Sequence, residues 1–114
     1  MSMKSSSRQV NGITIIDISG RIVLGEPTSA LRDLFHNLIQ SGQKKALLNL
    51  SDVNYIDSSG LGALVSGYTS FAGQQGELKL INLSSRVHDL LRLTKLLTVF
   101  EVFNDETTAL QSFK

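Results

Sequence analysis

The chain predicts an α/β fold built on one mixed β-sheet of about five strands, opened by a hairpin and continued through helical crossovers, with about four helices. Two observations predict it. Short apolar runs of strand length alternate with longer segments whose apolar residues recur at helical spacing. An Asn-Gly pair, Asn11-Gly12, separates the first two runs, and that dipeptide between strand-like runs is a strong hairpin signal. Beyond the hairpin each strand is reached through a helix, which requires parallel neighbours.

The hairpin joins Arg8-Gln9-Val10 to Ile13-Thr14-Ile15-Ile16-Asp17-Ile18, and Gly20 ends the second strand. Leu24-Gly25-Glu26-Pro27-Thr28 leads into the first helix, where Pro is accepted because its missing N–H has no bond to make in a first turn. Leu31, Leu34, Phe35, Leu38 and Ile39 form the stripe of that helix, and Gly42 is its stop. Residues 45–50 give a buried strand, Ala46-Leu47-Leu48-Asn49-Leu50, whose character Val53, Tyr55 and Ile56 carry onward. Leu61, Leu64, Val65, Tyr68, Phe71 and Ala72 mark a helix from about Ser59 to Ala72, and Gly73 and Gly76 break it. Leu78-Lys79-Leu80-Ile81-Asn82-Leu83 is a further strand, after which Ser84 or Ser85 caps a third helix carrying Val87, Leu90, Leu91 and Leu93. Thr98-Val99-Phe100-Glu101-Val102-Phe103 alternates as a last strand does, and Asp105 caps a terminal helix with Ala109, Leu110 and Phe113 inward.

A length of 114 residues with 41% hydrophobic content suits one domain, expected over residues 8–114 behind a flexible polar start at 1–7. The absence of Cys excludes a disulfide framework, thiol catalysis and thiolate metal sites. His36 and His88 are too few for a His-rich site, so neither metal nor cofactor is expected. A net charge of +1 with scattered basic residues lacks the positive face that phosphate-backbone binding needs, which removes nucleic acid as an expected partner. No apolar run approaches the ~18 residues of a membrane span, and Met1-Ser2-Met3-Lys4-Ser5-Ser6-Ser7 has no signal-like segment, so a cytoplasmic location is expected.

The most informative stretch is Asp57-Ser58-Ser59-Gly60-Leu61-Gly62, where strand gives way to helix. Ser is a favoured N-cap, and on residue types alone both serines read first as caps. The unfilled N–H groups and aligned peptide dipoles of a helix start also attract negative charge, so a phosphoryl group is tolerated there. Gly60 and Gly62 fit either close approach by a partner's backbone or tight packing of the helix start on the sheet. In an α/β sheet, sites gather at the carboxyl ends of strands, which is where Asp57 and Ser58 fall.

Over nearly its whole length the sequence resembles the STAS domains, a family named for sulfate transporters and anti-sigma factor antagonists. The resemblance rests on Ile18-Ser19-Gly20-Arg21-Ile22, on Leu48-Asn49-Leu50-Ser51-Asp52-Val53 running into Tyr55-Ile56-Asp57-Ser58-Ser59-Gly60-Leu61-Gly62, and on Glu77-Leu78-Lys79-Leu80 followed by the helix Val87 to Thr94. It implies a STAS-like fold and a bacterial anti-sigma factor antagonist with no catalytic residues. In such proteins the first hydroxyl after the Asp, here Ser58, is phosphorylated by a GHKL-type serine kinase that is also the anti-sigma factor. The unphosphorylated form binds that kinase and releases a sigma factor, and a PP2C-type phosphatase restores it. The resemblance makes Ser58 the phosphoacceptor and Ser59 the cap, and puts Asp57, Ser59, Gly60, Leu61 and Gly62 on the partner surface. The family often has an acid just after the Gly that ends the second strand; here it is displaced to Glu26, which joins that surface. The alternative within the family is a scaffold subunit of a signalling complex or an accessory subunit of a transporter.

A phosphoserine brings about −1.5 to −2 charge. The helix terminus favours it and Asp57 repels it, both weakly beside a domain stability of ~5–15 kcal/mol. Phosphorylation is therefore expected to act at the interface, by steric block and repulsion, with little change in fold. Rivals from other classes lack parts. A phosphoacceptor receiver needs an acidic cluster after the first strand and a Lys near the last, which Ile18-Ser19-Gly20 and Phe103-Asn104 do not supply. A serine hydrolase needs Gly-x-Ser-x-Gly, absent from 54–62, and a dinucleotide fingerprint needs a third Gly where Val65 stands.

Overall fold

A computed structural model describes residues 3–113. Its elements run β1 (Lys4–Val10), β2 (Ile13–Ile22), α1 (Glu26–Gln40), β3 (Lys45–Ile56), α2 (Ser58–Gly73), β4 (Glu77–Ile81), α3 (Ser85–Leu93), a 3-10 turn (Leu96–Thr98), β5 (Val102–Phe103) and α4 (Glu106–Ser112). The strands form one five-stranded sheet in sequence order, β1 antiparallel to β2 and each later pair parallel, so the mixed sheet with four helices is the fold observed.

Strand order equal to sequence order has a consequence. Crossovers that all step the same way with the same right-handed sense must lay their helices on one face. Accordingly Ile16, Ile18, Leu48, Leu50, Leu78 and Leu80 point into one cluster with Leu31 and Phe35 of α1, Leu64 and Phe71 of α2, and Val87 and Leu91 of α3. The alternate residues Ile13, Ile15, Leu47 and Ile81 face the other way and are covered by Ala109, Leu110 and Phe113 at the chain's end. Edge-on aromatic pairs close the larger face: Phe35 with Phe71 at 6.2 Å between ring centres, and Tyr68 with Phe100 at 5.4 Å.

The smaller face is held by charge as well as by apolar contact. Arg8 bridges Asp17 at 2.9 Å and Glu106 at 2.7 Å, tying the first turn of α4 to the hairpin. Lys79 is only 4% exposed, and its Nζ donates to the Ser112 carbonyl at 3.0 Å and hydroxyl at 2.9 Å, with Glu77 at 3.3 Å. A buried ammonium is tolerable only when its hydrogens are taken up in this way.

β2 runs past Gly20, read as its end, to Ile22; β3 extends beyond residue 50 to Ile56, and β4 starts one residue earlier than read, at Glu77, and stops at Ile81 short of Leu83. Three further boundaries differ from the sequence reading. β1 begins at Lys4 and takes in residues 4–7, which the sequence set apart as a polar start; Lys4 to Ser7 pair with Ser19 to Ile16, and ladder bonds need no apolar side chain. The last strand shrinks from 98–103 to Val102–Phe103. The amides of Val99 and Phe100 are spent on the Leu96 carbonyl, and the pairing with β4 is confined to Leu80 opposite Val102 and Ile81 opposite Phe103. Third, α2 begins at Ser58, one residue before the expected start.

Candidate functional site

β3 is the central strand, and its carboxyl end turns directly into α2 through Asp57. Asp57 keeps an extended backbone, φ −96° and ψ −175°, and its side chain is the N-cap. Oδ1 accepts the Gly60 amide at 2.9 Å, the usual service of a cap to an unpaired N–H. Oδ2 accepts the Leu24 amide at 2.9 Å, from the loop between β2 and α1. The Asp57 amide in turn donates to the Ile22 carbonyl at 3.2 Å. One residue thus fastens the start of α2 to the preceding loop. The Leu24 amide, followed by that of Gly60, holds the Asp57 carboxyl below the ordinary carboxylate range, because both bonds are stronger to its ionised form.

With the cap supplied one position earlier, Ser58 becomes the first helical residue. It is exposed, Ser59 is half-buried, and neither hydroxyl has a hydrogen-bond partner among the described residues. This corrects the expectation that Ser59, or both serines, cap the helix: a carboxylate on extended backbone reaches the orphan N–H groups first.

Gly60 and Leu61 are corrected too, as they are buried rather than displayed. Leu61 belongs to the main core, and a Cβ on Gly60 would collide with the Ile22 carbonyl and stand 2.7 Å from Ile56 Cγ2. Gly60 is therefore required by close packing of the helix start on β2. Gly62 is exposed, and a Cβ there would meet nothing nearer than Arg32 Nη2 at 3.7 Å, so packing does not demand it. Glu26 is exposed in the first turn of α1, two residues beyond Leu24. The surface that the structure brings together thus consists of Asp57, Ser58, Ser59 and Gly62 with the 24–26 loop. Leu24 was missed by sequence reasoning; the available signal was a leucine belonging to neither neighbouring apolar pattern.

His36 and His88 are both exposed on helices. Among the described residues no group of three or more His, Cys, Asp or Glu could hold a metal ion. No described helix is long and apolar enough to cross a membrane.

A family model described as the STAS domain matches residues 4–109. This chain belongs to the STAS domain family. Among similar proteins, the anti-sigma-B factor antagonist of Listeria monocytogenes is 39% identical over 59 residues; this STAS chain spans about half of that relative's length, 52% of each chain being covered. The anti-sigma-B factor antagonist of Bacillus subtilis is 35% identical over 88 residues, covering 76% of this chain and 78% of that one. The crystal structure of an anti-sigma factor antagonist from Mycobacterium paratuberculosis shares the fold, with a TM-score of 0.83 and 19% identity over 97% of this chain and 93% of that one.

Proposed function

We propose that this STAS protein is an anti-sigma factor antagonist switched at Ser58. The observation that carries the reading is a free, exposed hydroxyl at the first position of α2, on a junction whose capping is done entirely by Asp57. A phosphate added there breaks no hydrogen bond of the fold and meets the positive end of a 16-residue helix. It also stands beside a carboxylate held ionised, so it builds a concentrated negative spot on that surface.

The partner in this reading is an anti-sigma factor with a GHKL-type serine kinase domain. The unphosphorylated protein binds it in the cytoplasm and releases a sigma factor; phosphorylation of Ser58 ends binding, and a PP2C-type phosphatase reverses it. The protein itself carries out no catalytic step. The similar proteins named as antagonists support this reading, as does the position of Ser58 at the carboxyl end of the central strand.

The test pairs mass spectrometry with binding. Purified protein incubated with ATP and each GHKL-type serine kinase of the source cell is expected to gain one phosphate, at Ser58. Ser58→Ala is expected to bind the same kinase without being modified, and Ser58→Asp to bind it far less. Modification at another residue, or equal binding by the Ala and Asp forms, overturns the proposal.

A further inference from the structure

We propose that Leu24 is the apolar anchor by which the anti-sigma factor grips this protein beside Ser58, with Asp57 as the positioning residue that holds it there. The inference rests on the function proposed above and names a contact that the family resemblance does not supply.

Leu24 is 76% exposed, above Leu93 at 69% and well above Tyr55 and Val99 at 37% each. It does not sit on a slack loop. Its own amide is bound by Asp57 Oδ2 at 2.9 Å, the Val23 carbonyl before it accepts the Thr28 hydroxyl at 2.5 Å, and the Gly25 carbonyl after it accepts the Ser29 amide at 3.1 Å. Gly25, at φ +109°, makes a turn that a side chain would resist. The backbone on both sides of Leu24 is therefore fixed while its side chain is offered to solvent. An anchor already fixed in this way loses less conformational freedom when it docks.

The occupant follows from position and charge. A kinase that reaches the Ser58 hydroxyl must cover the Asp57 turn, and the Asp57 carboxylate is in direct contact with the Leu24 backbone. Leu24 therefore falls within the footprint of that kinase. Glu26, exposed and without an ion pair among the described residues, lies two residues further along. The matching surface on the anti-sigma factor is an apolar pocket for one leucine, with a cationic side chain at its rim. Phosphorylation of Ser58 works against the same contact, because a dianion beside Asp57 sets charge against the carboxylate that ties Leu24 in place.

The experiment measures, by calorimetry, binding of the kinase that phosphorylates Ser58 to wild type, Leu24→Ala, Leu24→Met, Leu93→Ala and Asp57→Asn. Leu24→Ala is expected to bind about tenfold or more weakly at unchanged thermal midpoint, since the full burial of a leucine is lost. Leu24→Met is expected to restore most of the affinity, and Leu93→Ala, at the other strongly exposed leucine, on α3, to bind as wild type. Asp57→Asn offers one acceptor oxygen where two amides need partners, so faster amide exchange at Leu24 in the free protein is expected together with weaker binding. Leu24→Ala binding within about twofold of wild type overturns the anchor while leaving the switch at Ser58 standing. Wild type that binds no such kinase overturns both.

Discussion

Two serines stand where a parallel strand hands over to a helix, Ser58 after β3 and Ser84 after β4, and the chain uses their hydroxyls differently. Ser84 is itself the N-cap of α3: its oxygen accepts the Val87 amide at 3.3 Å and donates to the Val53 carbonyl at 2.9 Å. Ser58 does neither, because Asp57 has taken the capping position one residue earlier. A phosphate on Ser84 would break a cap and a link between the start of α3 and β3. On Ser58 it would break nothing in the described structure. The difference lies in where the cap sits: at the β3–α2 junction it is one residue earlier, on Asp57, and the Ser58 hydroxyl is left without a partner among the described residues.

The comparison can be broken most forcefully at Gly60. Gly60→Ala places a Cβ 2.7 Å from Ile56 Cγ2, 2.9 Å from Ile22 Cγ2 and against the Ile22 carbonyl, and backbone cannot yield as a flexible side chain does. A loss of about 3 kcal/mol is expected by urea denaturation, with the β3–α2 turn displaced. Ser84→Ala is expected to cost about 1–2 kcal/mol in the same assay, since it leaves the Val87 amide without its cap.

Asp57→Ala sharpens the contrast by removing the cap and the loop tie together, with Ser58 untouched. A thermal midpoint lower by a few degrees is expected, with faster amide exchange at both Gly60 and Leu24. The effect depends on pH in a defined direction. The Asp57 carboxyl titrates below the ordinary aspartate value of 3.8 in the folded protein, chiefly through the Leu24 and Gly60 amides. Its contribution is therefore complete above the unfolded value and is lost as the pH falls through the folded one. The gap between wild type and Asp57→Ala should close on acidification below about pH 4, seen by thermal denaturation across that range. The smallest effect is expected for Ser58→Ala, within ~0.5 kcal/mol of wild type by urea denaturation, because the hydroxyl removed has no partner among the described residues.

Much of this fold was legible in the chain because its local signals agree with its tertiary ones. Asn11-Gly12 makes the hairpin with both residues at positive φ, 52° and 79°, and Ser84 and Asp105 cap the helices they were read to cap. Pro27 lies in the first turn of α1 as its missing N–H requires. The illegible parts are those where a distant group decides. Residue types cannot say that the Asp57 carboxylate will face the Leu24 amide 33 positions away, and that contact with the cap bond displaced the serines from the capping role. Nor do they show that the Ile22 carbonyl sits over Gly60, which decides between the two readings of that glycine in favour of tight packing on β2. The polarity of residues 4–7 concealed a strand whose stability comes from its neighbour's backbone.

The lysine under α4 carries a consequence of another kind. Wrapped by the end of that helix and by the rings of Phe103 and Phe113, 5.8 and 4.7 Å from its nitrogen, the Lys79 amine is shielded from reagents while the helix is docked. The exposed Lys44 and Lys95 carry no such cover. Acylation at Lys79, measured against those two, is thus a gauge of how often the terminal helix lifts from the sheet, on the face opposite to the three crossover helices.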